Sequence, residues 1–395
     1  MDLKIIAPKA LQGTVTLPAS KSISNRVLVI RELMRADFGI DNLAECDDTE
    51  VLRRAFLSIK SAKNATIDIN GSGTAMRFLT AMFAVTDGEF VLRGNNRMHE
   101  RPIAPLVTAL KTLGADIDYL AAEGFPPLKV CGHGLKGGRI DMPGHVSSQF
   151  ASALLMVAPL LDNGLELHFT TPATSLSYIQ MTIEMMRCFG ADVAWTANDT
   201  IRVTPTPYIY NARSYSVEAD WTSASYWFAM QLLSRDTDNR LSFSNLPSSS
   251  LQGDAIVPEL FRRLRSSEPF EWNFASTPDL VQTIAVCCYA LGKPFRFTGI
   301  DTLRIKETDR IAALEEELGM RIVPDADGTF ITPPPVDASR NVFRTHGDHR
   351  MAMSLVPLAF CLPHIVIRDA EVVSKSYPSF WKDLSAIGFA VTQER

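Results

Sequence analysis

Arg304-Ile305-Lys306-Glu307-Thr308-Asp309-Arg310 packs three cations and two acids into seven residues, just ahead of the apolar run Ile311 to Leu318. Read as a strand end turning into a helix that starts near Glu307, it places Lys306 at the turn. Arg310 then lies three residues beyond Glu307 on the same helical face. Amide groups at a helix N-terminus attract anions, so cations gathered there are misplaced unless an anion joins them. The run therefore predicts an anion site with a carboxylate inside it. By itself it also describes a surface ion-pair cluster worth about 0–1 kcal/mol.

The bulk composition narrows the choice. A chain of 395 residues with 46% hydrophobic and 21% charged residues is too long for one ordinary core and predicts two domains. The longest apolar runs, such as Ala151 to Leu161, fall short of the roughly 20 residues a membrane helix requires. Met1-Asp2-Leu3-Lys4 has no charged-then-apolar signal pattern, so a cytoplasmic protein is expected. Six cysteines without regular spacing read as reduced thiols. A net charge of −5 argues against nucleic acid as a partner, and any anion site must be built locally against that charge.

Outward from the first stretch, one design recurs six times: a short strand, a small or polar turn, then an apolar helix. The copies begin at Val15, Ile67, Ile140, Tyr215, Trp272 and Phe343. A recurrence of this kind means one supersecondary unit used repeatedly. Helices such as Phe78 to Val85 and Met351 to Phe360 are apolar on every side and predict full burial. Between them lie more amphipathic helices, including Asp48 to Ile59 and Arg101 to Leu113. The expected unit is βαβ with added strands, each burying one central helix.

The chemistry falls in the turns, where six helix N-termini brought face to face would attract anions strongly. Ordinary capping accounts for Asp220, Thr222 and Ser223, but not for Lys21, Arg26, Arg77 and Arg350 in first or second turns. Lys21, Ser22 and Arg26 suit a phosphate. Gly71-Ser72-Gly73-Thr74-Ala75-Met76-Arg77 lacks the lysine and spacing of a P-loop, so nucleotide binding is unsupported. Arg101 stands at a loop-to-helix boundary, with Pro102 suited to the first turn. Ser147, Ser148 and Gln149 offer two hydroxyls and an amide to a polyol or phosphate, and Ser175 and Tyr178 could join them. Thr277-Pro278-Asp279 puts a carboxylate in a first helical turn, where dipole stabilisation alone would explain it. His346 and His349 flank Asp348, but no third ligand stands at a familiar metal spacing. Lys375 reads either as a site cation or as a solvated loop residue.

Assembled, these motifs resemble the EPSP synthase family of enolpyruvyl transferases nearly end to end. The resemblance rests on Ser20-Lys21-Ser22 with Asn25-Arg26, Gly73-Thr74-Ala75-Met76-Arg77, Glu100 to Ile103, Val146 to Gln149, Lys306 to Arg310, Asp348 to Met353, and Lys375. It implies an α/β (α+β) fold, a two-lobed inside-out α/β barrel-like architecture of six βαβαββ-type repeats, three per lobe. One lobe would comprise 1–18 plus 219–395 and the other 19–218, with the active site in the cleft between them. The implied reaction moves the enolpyruvyl group of phosphoenolpyruvate to the 5-hydroxyl of shikimate 3-phosphate, on the route to chorismate and the aromatic amino acids. It proceeds by addition and elimination, with no metal or organic cofactor, in a monomer.

By the same resemblance, Lys21, Ser22, Arg26, Ser147, Ser148, Gln149, Ser175, Tyr178, Asp279 and Lys306 would hold shikimate 3-phosphate. Lys21, Gly73, Arg77, Arg101, Gln149, Arg310, Arg350 and Lys375 would hold phosphoenolpyruvate. Asp279 would accept the hydroxyl proton and Glu307 would move the proton at C3, with Lys21, Lys306 and His349 assisting. The chain departs from the family at Gly71 and Thr302, each usually Asn, at Phe78, and at Leu176-Ser177. A sister transferase acting on UDP-N-acetylglucosamine carries a loop cysteine that the stretch Arg97 to Pro102 lacks. A non-catalytic anion-binding relic would have lost Asp279 or Glu307, and both are present.

Overall fold

The computed structural model describes residues 1–234, 240–324 and 328–394. It divides into two compact units, Met1–Ser20 with Glu218–Arg395, and Lys21–Val217. Each contains three parallel strand pairs, and five of these six pairs bracket one apolar helix. A parallel pair cannot close with a tight turn, so the chain between its strands must cross over, and an apolar helix is what it uses.

In the unit Lys21–Val217, strands Asn64–Asp68 and Gly88–Arg93 pair in parallel around helix Gly73–Ala84. Strands Gly138–Met142 and Leu165–Phe169 do the same around helix Ser148–Val157. Antiparallel strands extend each pair to a four-stranded sheet. The third pair, Gly39–Asp41 with Ser214–Ser216, joins the two ends of the segment and accompanies helix Lys21–Met34.

In the other unit, Phe270–Asn273 and Phe295–Thr298 bracket helix Val281–Leu291, and Val342–Arg344 and Ile365–Arg368 bracket helix His349–Leu355. Gln12–Val15 and Arg240–Phe243 pair around helix Trp221–Leu233. Two of the recurring copies are thereby split between the units. The strand before Lys21 and the strand before Trp221 each belong to the unit that their following helix does not. Strand pairing, which joins residues about two hundred positions apart, decides membership; adjacency in the chain does not.

The central helices are buried nearly all round. Of the twelve residues in Gly73–Ala84, all but Thr74 are buried, so no amphipathic period could show in the sequence. Pro159 and Pro357 each convert the end of such a helix to a tighter 3-10 turn, at Ala158–Leu160 and Val356–Phe360, because proline donates no backbone hydrogen bond. Hydroxyls lock three of these helices together inside the core. Ser225 bonds Thr283 at 3.2 Å and Thr283 bonds Ser354 at 3.2 Å.

Two expectations are corrected. The stretch Arg304 to Arg310 is not a strand end: Asp301–Ile305 is a 3-10 turn, and the helix begins at Arg310 rather than Glu307. Asp309 caps it, accepting from the N–H groups of Ile311 and Ala312 at 3.1 and 3.0 Å, and a strong cap outcompetes three further residues of helix. Likewise the helix after Arg101 starts at Ala104, with Pro105 rather than Pro102 in its first turn.

Candidate active site

The turns of the unit that holds residues 218–394 gather a connected set of charges. The Arg310 side chain is 2% exposed and meets three carboxylates. It donates to Asp279 Oδ1 at 2.8 Å, to Glu307 Oε2 at 3.0 Å and to Asp348 Oδ2 at 2.7 Å. Arg350 donates to Asp279 Oδ2 at 2.8 Å and to the Tyr226 hydroxyl at 3.4 Å. Lys375 Nζ lies 3.3 Å from Glu307 Oε1. Burial alone would lower the proton affinity of Arg310, but Asp348, Glu307 and Asp279 together more than reverse this and hold it charged.

These groups come from four separate stretches. Asp279 sits in the 3-10 turn Pro278–Leu280 ahead of Val281–Leu291. Glu307 precedes the cap Asp309, and Arg350 is the second residue of His349–Leu355. His349 is 1% exposed, its Nδ1 3.6 Å from Asp348 Oδ1. Lys306 is half-buried beside Glu307. The carboxylates Asp279 and Glu307 are held by the same cations an incoming carboxylate or phosphate would take. An anion that engages Arg310, Arg350 and Lys375 competes for those donors and frees the two carboxylates to handle protons.

The unit Lys21–Val217 carries a second set. Arg26 is 3% exposed, and its guanidinium is satisfied by neutral acceptors alone. Nε donates to Thr182 Oγ1 at 2.7 Å, Nη1 to the Ser22 carbonyl at 2.9 Å, and Nη2 to Ser152 Oγ at 3.2 Å and the Tyr178 carbonyl at 3.3 Å. The rings of Phe78 and Tyr178 lie 5.4 and 6.0 Å from it. Burial without a facing carboxylate pulls Arg26 down to about 10, a cost that a bound anion would remove.

Lys21 Nζ is 3.2 Å from Asp48, whose side chain is 5% exposed. Ser147 caps helix Ser148–Val157 through Gln149 N–H at 3.3 Å, and the Gln149 amide reaches Thr74 Oγ1 at 3.3 Å. The first turns of two central helices thus meet. Ser175 is buried with φ 54 and ψ 41, a left-handed conformation costing on the order of 1 kcal/mol in a non-glycine residue and common at ligand sites.

Gly73 and Arg101 come together although 28 positions separate them. A side chain at Gly73 would place its Cβ 2.7 Å from Arg101 Nη1. Arg77 braces both loops, donating to the carbonyls of Gly73 at 3.3 Å and Pro102 at 3.0 Å, with Met98 Sδ 3.3 Å away.

The family model for EPSP synthase, 3-phosphoshikimate 1-carboxyvinyltransferase, matches residues 5–64 and 51–384. The chain belongs to the EPSP synthase family. The 3-phosphoshikimate 1-carboxyvinyltransferase of Bacteroides fragilis is 42% identical to it, with 99% of each chain covered. That of Methanospirillum hungatei is 34% identical, with 94% of each covered. Among solved structures, EPSP synthase from Acinetobacter baumannii superimposes with a TM-score of 0.78 at 20% identity, covering 99% of this chain and 100% of that one. The enolpyruvyl transferase NikO from Streptomyces tendae gives 0.72 at 15% identity, covering 99% and 98%. At such identities these two show the fold alone.

Within this family framework, several site-building residues escape sequence reading. Asp348 caps its helix through Arg350 N–H at 2.8 Å, and that signal is visible in the sequence; its grip on Arg310, 38 positions earlier, is not. Asp48, Ser152 and Thr182 read as ordinary helix residues, yet they hold Lys21 and Arg26. Among the described residues, His346 and His349 face different carboxylates. His346 joins Glu316 and Glu317, with donor atoms within 4.8 Å of one another. Both carboxylates already pair with Arg344.

Proposed function

We propose that this enolpyruvyl transferase carries out its reaction with the two sets of residues described above. The observation that carries this is the interlock of Arg310 with Asp279, Glu307 and Asp348, which couples two candidate proton carriers to one buried cation. Phosphoenolpyruvate takes Arg310, Arg350 and Lys375, together with Lys21, Gly73, Arg77, Arg101 and Gln149. Shikimate 3-phosphate takes Lys21, Ser22, Arg26, Ser147, Ser148, Gln149, Ser175 and Tyr178, with Asp279 and Lys306 at the sugar ring.

Asp279 then accepts the 5-hydroxyl proton as that oxygen bonds C2 of phosphoenolpyruvate, and Glu307, protonated from water once the substrate anion has drawn Arg310 and Lys375 from it, delivers that proton to C3. The product is a tetrahedral ketal phosphate whose developing charge the arginines and lysines stabilise. In elimination, C3 returns its proton to Glu307, the C2–phosphate bond breaks, and phosphate leaves with the proton held on Asp279. Lys21, Lys306 and His349 line the path and balance charge. No helix among the described residues is long and apolar enough to cross a membrane, and we take the chain to act in the cytoplasm, as a monomer, on small molecules.

Phosphate release from phosphoenolpyruvate tests the reading, with shikimate 3-phosphate or UDP-N-acetylglucosamine as acceptor and EDTA present. Release with shikimate 3-phosphate alone is the expected result. Release only with the sugar nucleotide would overturn the acceptor assignment, and loss of activity in EDTA would overturn cofactor independence.

A further inference from the structure

One buried carboxyl lies beside this machinery without belonging to it. Asp254 is 4% exposed and stands in the 3-10 turn Gly253–Ile256. Its Oδ2 accepts a short hydrogen bond from the hydroxyl of Thr222, in the first turn of Trp221–Leu233. The preceding loop is clamped to the same helix start. Gln252 Oε1 accepts from Trp221 N–H at 3.0 Å, and its amide donates to the Ala219 carbonyl at 2.7 Å. Asp254 therefore has a fixed address, and among the described residues no cation forms an ion pair with it.

The charged groups facing it are few. Asp220 caps Trp221–Leu233 through Ser223 N–H at 2.8 Å. Asp279 comes from the turn Pro278–Leu280 and Arg350 from the helix His349–Leu355. On the remaining packed element, helix Val257–Leu264, Glu259 spends its charge on Arg262 and Arg263 at 2.7 and 2.8 Å, at the surface. Two acids and one guanidinium thus act on Asp254, and that guanidinium is already engaged by Asp279. Burial first, then the negative charge of Asp279, push Asp254 up to about 7, against the opposing Thr222 hydrogen bond and Arg350. A carboxyl so placed stores a proton where its neighbours use one.

Resting on the proposed reaction, we propose that Asp254 is a positioning residue: a buried carboxyl, anchored on Thr222 in the first turn of Trp221–Leu233, whose charge is coupled to those on Asp279 and Arg350. When Asp279 takes the hydroxyl proton, its repulsion of Asp254 falls. When Asp254 instead loses its own proton, a second negative charge acts on Arg350 and weakens that guanidinium's hold on an anionic substrate. Proton transfer balances throughout, because Asp254 exchanges its proton with water and takes none from substrate.

The test compares KM for phosphoenolpyruvate in wild type and Asp254→Asn between pH 6 and 8, reading the ratio so that the substrate's own phosphate titration cancels. The wild-type KM is expected to rise by about tenfold relative to the variant across this window, as for two neighbouring coupled charges, with kcat at pH 6 alike in both. Thr222→Val, which removes the bond favouring the carboxylate, should move the rise to higher pH. A ratio that stays constant from pH 6 to 8 overturns the proposal. Infrared titration of the protein alone separates this from failure of the functional reading: a protonated-carboxyl band should vanish near pH 7 in wild type and be missing in Asp254→Asn. If wild type and variant share that band, Asp254 is not the proton store, whatever the reaction.

Discussion

Gly73→Ala asks whether the guanidinium of Arg101 is held where phosphoenolpyruvate needs it. The added Cβ would lie 2.7 Å from Nη1, 2.9 Å from Nη2 and 3.0 Å from Cζ of Arg101. Ordinary contact begins near 3.5 Å, so the group must withdraw by roughly 0.5–1 Å. Its stem is flexible, the clash touches no backbone, and Gly73 opens a helix in a conformation alanine accepts. The fold should therefore be unharmed. A charge-assisted hydrogen bond is worth about 1.5–3 kcal/mol, so its misplacement should raise KM for phosphoenolpyruvate by about ten- to a hundredfold. Steady-state kinetics with each substrate varied in turn, beside a thermal melt, reads this directly. The expected pattern is a raised KM for phosphoenolpyruvate, an unchanged KM for shikimate 3-phosphate and a melting temperature within about 3 °C of wild type. An unchanged KM for phosphoenolpyruvate would refute the assignment of Arg101, and a collapsed melting temperature would refute the claim that only a side chain must move.

Glu307→Gln should lower turnover by about a hundredfold or more, as for a proton-transfer group, while equilibrium binding of both substrates stays near wild type; full turnover would remove Glu307 from the chemistry. Lys375→Ala should raise KM for phosphoenolpyruvate, and a variant impaired only toward shikimate 3-phosphate would contradict its place. Asp348→Ala removes a helix cap and one of three carboxylates on a buried arginine, a loss of about 3–5 kcal/mol by analogy with broken buried pairs, read by denaturant unfolding. The raised carboxyl of Asp254 makes stability depend on pH: its contribution is full below its ordinary value near 3.8 and is lost as pH rises through about 7. Across that span it amounts to about 4 kcal/mol, so Asp254→Asn should gain stability relative to wild type between pH 5 and pH 8. A pH-independent difference would count against it.

The residues that form the two charged clusters were more legible than the topology. Lys21, Arg26, Arg77 and Arg350 announce themselves because cations in the first turns of apolar helices conflict with both dipole and burial, and such conflict marks residues kept for something other than stability. Asp254 gave no comparable signal. An aspartate in a polar loop is what any surface turn contains, and only its burial against Thr222, under the charge of Asp279, makes it unusual. Asp348 was half legible, as a cap but not as a partner of Arg310.

The sequence by itself determined the repeating strand, turn and buried helix, the residues that crowd the turns, and the family to which they belong. These are local patterns, written in periodicity, capping and composition within a dozen residues. Tertiary structure alone decided which strand pairs with which. Gln12–Val15 runs straight toward Lys21–Met34 yet pairs with Arg240–Phe243, and Ser214–Ser216 runs toward Trp221–Leu233 yet pairs with Gly39–Asp41. Backbone hydrogen bonds between strands are indifferent to side-chain identity, so partnership over such separations leaves little trace in the residues. It is set by which arrangement buries all the apolar helices at once.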